Sequence, residues 1–106
     1  MIEARQIKDI VDKIATHYNP ERIILFGSYA KGNFDDNSDL DFILVKDTST
    51  PRQKRGIEVS SLFYGLPVPM DFKIYTSSEF EEELKDQYSF LTSALKNSIV
   101  LYERKD

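Results

Sequence analysis

Apolar residues recur along this chain at two spacings, one helical and one alternating. Ile7, Ile10, Val11 and Ile14, with Tyr18 one turn on, return every three or four positions, which predicts an amphipathic helix over 3–17. Asn19-Pro20 closes it, because the residue before a proline is pushed out of the helical region. Arg22 to Phe26 is a β-branched and aromatic run and reads as a buried strand. Gly27 to Lys31 reads as a turn opening a short helix, and Gly32 to Ser38, rich in Gly, Asn, Asp and Ser, as a loop. Residues 39–45 then alternate. Leu40, Phe42 and Leu44 share one face of a strand, and Asp39, Asp41 and Ile43 the other. A second helix is predicted from Pro51, at its first helical position, to about Phe63. A third strand spans Val68 to Tyr75, with Met70, Phe72 and Ile74 opposed to Asp71, Lys73 and Tyr75. Thr76 and Glu79 form a capping box for a helix whose stripe of Phe80, Leu84, Tyr88, Leu91 and Leu95 runs to about Lys96, with a break near Gln87. Ile99 to Tyr102 reads as a short last strand. The order predicts an α/β (α+β) fold, a small mixed sheet with helices packed on one face and the other face open for a ligand.

Length and composition narrow the classes. A chain of 106 residues is expected to form one domain over 1–106. No apolar run approaches 18 residues, so no membrane span is expected. The start, Met1-Ile2-Glu3-Ala4-Arg5, lacks the basic-then-apolar layout of a secretion signal. Absence of cysteine excludes disulfides and thiolate metal sites and fits a reducing, cytoplasmic setting. With one histidine, His17, at a helix end, neither a zinc site nor a Ser-His-Asp triad is in view. A net charge of −4 argues against strong nucleic-acid binding, which needs a basic face. It leaves open a nucleotide held by local dipoles and a metal ion.

Chemistry concentrates in residues 27–45. Asp39 and Asp41, two apart on a strand, place their carboxylates side by side, and such like charges repel unless a cation lies between them. A divalent ion suits the position, since Mg²⁺ takes one or two carboxylates together with substrate phosphates. Asp71, on the polar side of the third strand, completes a trio if that strand lies beside the second. Three acids on an open face suit two-metal phosphoryl transfer. Gly27 lets backbone approach a phosphate closely, Ser28 donates from its hydroxyl and its N–H, and Lys31 either reaches the β- and γ-phosphates or points to solvent. A Walker A loop is excluded, because Gly32 is followed by Asn33-Phe34 rather than Lys-Ser/Thr. An EF-hand is excluded too: counting from Asp35, the required Gly and Glu positions hold Leu40 and Lys46. The basic run Arg52-Gln53-Lys54-Arg55 reads as a solvated helix face. Phe80, Tyr88, Phe90 and Tyr102 read as core or interface.

Gly-Ser-x-Ala-Lys-Gly, a short loop, Ser-Asp-Leu-Asp-Phe and a later Asp on a third strand together resemble the DNA polymerase beta-type nucleotidyltransferase superfamily. The closest likeness is to the minimal nucleotidyltransferase (MNT) proteins, and it is strongest over 22–75. The resemblance implies transfer of a nucleoside monophosphate from an NTP with Mg²⁺, two ions being expected. It assigns Gly27 and Ser28 to the triphosphate, Asp39 and Asp41 to metal, and Asp71 to metal and to activation of the acceptor hydroxyl. It also implies a HEPN-type toxin as partner, with the chain as its antitoxin and AMP from ATP as the group moved onto it.

There are two rival readings. One is a non-catalytic antitoxin or regulatory subunit that binds nucleotide and acts by contact. The other is transfer to a small molecule, which normally calls for a further helical domain. A chain this short is expected to complete its acceptor site with a partner or a second copy, as a homo- or hetero-oligomer.

Overall fold

The computed structural model describes residues 2–105. Helix α1 (Ala4–His17) buries Ile10, Val11 and Ile14, the stripe expected of it. It ends where Asn19 turns to φ 55°, a left-handed helix stop that Asn tolerates. Strand β1 (Arg22–Phe26) runs directly into the one-and-a-half-turn helix α2 (Gly27–Lys31). Strand β2 (Leu40–Val45) starts one residue later than its alternation predicts, so Asp39 stands just outside the ladder. Helix α3 (Arg52–Ser60) is preceded by Pro51 in the capping position rather than inside the helix, and a 3₁₀ turn, Ser61–Phe63, prolongs it. Strand β3 (Met70–Tyr75) comes next. The predicted break near Gln87 divides the last helical stretch into α4 (Ser77–Leu84) and α5 (Phe90–Leu95), and strand β4 (Ile99–Glu103) closes the order. Both capping-box bonds of Thr76 and Glu79 are made. Tyr88 and Leu84 lie outside the buried stripe, at 86% and 42% exposure, because the chain leaves the helix between them and Leu91.

The sheet has the order β3-β2-β1-β4. β1 pairs antiparallel with β2 and β4, while β2 and β3 run parallel. A parallel pair needs a crossover, which α3 provides. Ile23, Leu25, Leu40, Phe42, Leu44 and Ile74 pack on one face against α1, α2 and the end of α3. Ile24, Phe26, Ile43, Val45 and Tyr75 occupy the other face with Phe80 of α4 and Leu91 of α5. The expectation of helices on a single face thus needs correcting: α4 and α5 cover part of the second. The residues that open β2 and β3 on that face, Asp41 and Asp71, lie outside this apolar cluster and keep partial exposure.

Arg55 departs from the solvated helix face read from the sequence. It is buried, and its guanidinium donates to the Thr50 carbonyl (2.8 Å), the Ile74 carbonyl (3.2 Å) and the Glu79 carboxylate (2.6 Å). Those bonds satisfy an outward carbonyl of edge strand β3 and tie α3 to α4. The hydrogen bond from Arg55 holds the Glu79 carboxyl at about 2, well below its usual 4.5.

Candidate active site

The site grows from three junctions at one end of the sheet. Phe26, the last residue of β1, lies opposite Asp41 of β2, and Asp41 lies opposite Asp71 of β3. The parallel register therefore brings Asp41 and Asp71 into one lateral row, with the spacing of neighbouring strands, roughly 4.7–4.9 Å between chains. Gly27 follows Phe26 at φ +77°, a conformation closed to most side chains. A Cβ built there would collide with Oδ2 of Asp41 and lie 3.1 Å from its Cγ. The Gly-Ser turn and the Asp41 carboxylate are thus in direct contact. Ser28 begins the first turn of α2, and Gly32 ends that helix at φ +82°. Lys31 lies exposed at the far end of α2, one helical turn from Gly27.

Electrostatics agree with convergence. Burial pushes the Asp41 carboxyl up, and the charges of Asp71 and Asp39 push it further. Lys73 opposes them. It shares the Asp71 side of β3, and its ammonium stands 3.5 Å from the Asp71 carboxylate. The alternation of β3 is enough to place Lys73 on that side, so the signal for it lies in the sequence, although no motif marks it. His17 is exposed on α1, as expected of a non-catalytic histidine.

Among the described residues no group of three or more His, Cys, Asp or Glu side chains forms a set that could hold a metal ion, so the expected trio of Asp39, Asp41 and Asp71 is not gathered into one ligand set. The donor chemistry still fits Mg²⁺. This ion makes poor use of all-protein cages and takes one or two carboxylates with water and phosphate oxygens. Asp41, crowded by two like charges against the bare Cα of Gly27, and Asp71 beside it provide such a partial set.

A family model described as "Polymerase beta, Nucleotidyltransferase" matches residues 8–106. The chain belongs to this family. As a nucleotidyltransferase it has two similar archaeal relatives, both from Methanocaldococcus jannaschii and both named as candidate protein adenylyltransferases. MJ0604 is 31% identical over 104 residues, 96% of this chain and 100% of that protein. MJ0141 is 36% identical over 72 residues, 62% of this chain and 73% of that protein. The fold is shared with a candidate nucleotidyltransferase from Sulfolobus solfataricus (TM-score 0.62, 24% identity, 92% of this chain and 78% of that one). It is shared as well with a chain in the crystal structure of a toxin-antitoxin with AMP-PNP (TM-score 0.63, 20% identity, 92% and 74%). The resemblance read from the motif therefore holds, as does the nucleotidyltransferase activity and the mixed α/β fold it implies. No described helix is long and apolar enough to cross a membrane.

Proposed function

We propose that this nucleotidyltransferase moves AMP from ATP onto a hydroxyl of a partner protein, acting as the antitoxin of a HEPN-type toxin. The observation that carries the chemistry is the lateral row of Asp41 and Asp71, with the Asp41 carboxylate seated on Gly27. The adenylyl group and the protein acceptor are supported by the relatives named for protein adenylylation, one of which is matched over its whole length by 96% of this chain. The toxin partner is supported by a shared fold with a chain of a toxin-antitoxin complex.

Each residue has a role in this reading. Gly27 admits the triphosphate against backbone, and Ser28 donates to its oxygens. Asp39, Asp41 and Asp71 would hold Mg²⁺, two ions in the full complex. Bound there, the metal would neutralise the crowded carboxylates and the triphosphate and lower the pKa of the attacking hydroxyl. Asp71 is on β3, separated by β2 from the strand that leads into Gly27–Ser28. In this reading it accepts the acceptor's proton on the side opposite the leaving group. The acceptor oxygen bonds to the α-phosphorus, the bond from that phosphorus to the β-bridging oxygen breaks, and pyrophosphate departs along the Gly27–Ser28 turn. In-line attack requires this opposition of nucleophile and leaving group, and catalysis consists mainly of holding it. Lys31, exposed at the end of α2, is assigned in this reading to the distal phosphates.

The test is incubation of the protein with labelled ATP, Mg²⁺ and the product of the neighbouring gene. Label should appear on that product and be lost in Asp39→Asn with Asp41→Asn. An unlabelled product, or labelling indifferent to both substitutions, ends the proposal. If the double variant still neutralises the partner, contact rather than transfer is the antitoxin mechanism.

A further inference from the structure

A cavity of about 530 Å³ lies between edge strand β3 and helices α3, α4 and α5. Lys73, two residues from Asp71 on the same side of β3, is in its wall. Three aromatic side chains line it, and two are already engaged. Phe72 stacks between Phe42 and Phe63 on the opposite sheet face, and Tyr75 is buried beneath the Arg52 guanidinium, 5.2 Å from its ring. Phe90 alone is exposed, at 50%.

The position of that ring is fixed from three sides. Ser89 caps α5 by accepting the Thr92 N–H, so Phe90 is held at the first helical residue. Leu91, the next residue, is fully buried. The Phe90 ring meets Phe26 edge-on, at 5.7 Å and 82°. Phe26 is both the partner of Asp41 in the sheet and the residue before Gly27. A half-bare aromatic thus touches the residue that leads into the phosphate turn and lines a cavity whose wall includes Lys73, the ion-pair partner of Asp71. Exposed aromatic surface that is rigidly held, next to where a nucleoside phosphate must lie, suits a flat heteroaromatic ring.

We infer that Phe90 is the platform on which the base of the nucleotide stacks, with the base entering this cavity from the carboxylate row. The inference rests on reading Gly27, Ser28 and the acidic residues as the triphosphate and metal site. Stacking uses the face of the ring and is tolerant of base identity, so the platform sets affinity for nucleotide over bare polyphosphate.

Calorimetry on the full chain separates the two layers, with Mg²⁺ plus AMP-PNP in one arm and Mg²⁺ plus inorganic tripolyphosphate in the other. Phe90→Ala is expected to weaken AMP-PNP roughly tenfold or more, as loss of one stacked base does, and to leave tripolyphosphate unchanged. The chain has no tryptophan, so Phe90→Trp installs a single tryptophan whose emission can be excited apart from the six tyrosines. Its emission should be quenched by AMP-PNP and not by tripolyphosphate. Unchanged AMP-PNP affinity in Phe90→Ala overturns the inference. So does a parallel loss in both arms, which would mean α5 has merely shifted, or intact nucleotide binding with slowed transfer, which would place the acceptor there. If the unaltered protein binds neither probe, the reading of the triphosphate site falls first and this inference with it.

Discussion

The carboxylate of Asp41 occupies the space that a side chain at Gly27 would need. Glycine is therefore required twice at position 27, for its positive φ and for this contact. Gly27→Ala is expected to lose about 1–2 kcal/mol from the left-handed conformation alone, with more from displacing Asp41. Displacement of a positioning group by about an ångström is enough for a hundredfold loss of rate. Thermal unfolding and the adenylylation assay together check this. A variant as stable and as active as the parent would show that the contact is dispensable.

Asp41→Asn separates stability from activity. The folded protein holds the Asp41 proton to higher pH than the unfolded chain does, because of burial and the charges of Asp71 and Asp39. Stability therefore falls as pH rises from the ordinary aspartate range through the raised folded value. The asparagine variant lacks that loss. Without metal it should melt at or above the parent temperature at pH 7, yet show no transfer. Added Mg²⁺ should raise the melting temperature of the parent and leave the variant unmoved, since a ligand stabilises only the state that binds it. A variant less stable than the parent in EDTA contradicts the account.

Lys73 provides the attraction that opposes the acidic charges around Asp41. Lys73→Met should raise the Asp41 carboxyl further and move the acid limb of kcat/KM, which reports the free enzyme, to higher pH. The plateau activity should change little if Lys73 acts only through this charge. An unmoved limb would show that Asp41 does not govern it.

Arg55 and Glu79 give a prediction about the scaffold. Arg55 is buried but Glu79 is about a third exposed, so Arg55→Met leaves no buried charge unpaired; it strips donors from the Thr50 and Ile74 carbonyls and should lower stability by about 1–3 kcal/mol. The Glu79 carboxyl is held at about 2 against its usual 4.5. The unfolded chain binds the extra proton across that interval, so the stabilisation is present above it and is lost as pH falls from the upper value to the lower. Glu79→Gln should flatten the acid-unfolding curve within this window. The same slope in variant and parent would refute the assignment.

The chain's letters carry most of the site and less of its surroundings. Period-two alternation puts Asp41 and Asp71 on the polar sides of their strands, and the structure pairs them in register. Alternation does not reveal which strands are neighbours. The lateral row therefore needs the order β3-β2-β1-β4, which arises from the α3 crossover and not from any local motif. Asp39 shares that alternation but lies just before the first ladder position, a boundary that depends on pairing with β3. Burial of Arg55 is not legible, because a lone arginine in a basic run gives no sign of its partner, and Glu79 lies 24 residues away. Phe90 falls outside the predicted stripe and reads as core or interface only because it is aromatic, a residue type that does not say how much of its ring is covered. The chain breaks after α4, and α5 restarts at Phe90 with its ring half bare.

The parallel junction of β2 with β3 has a consequence for how this protein can vary. Since matching starts of two strands set the distance between Asp41 and Asp71, the crossover joining them is free to lengthen, shorten or change sequence without retuning the spacing of the two acids. A single residue gained inside β3 has the opposite effect: it rotates the second acid into the hydrocarbon interior and brings Phe72 or Met70 out in its place. Homologues should accordingly tolerate insertions between the two strands and forbid them within either one.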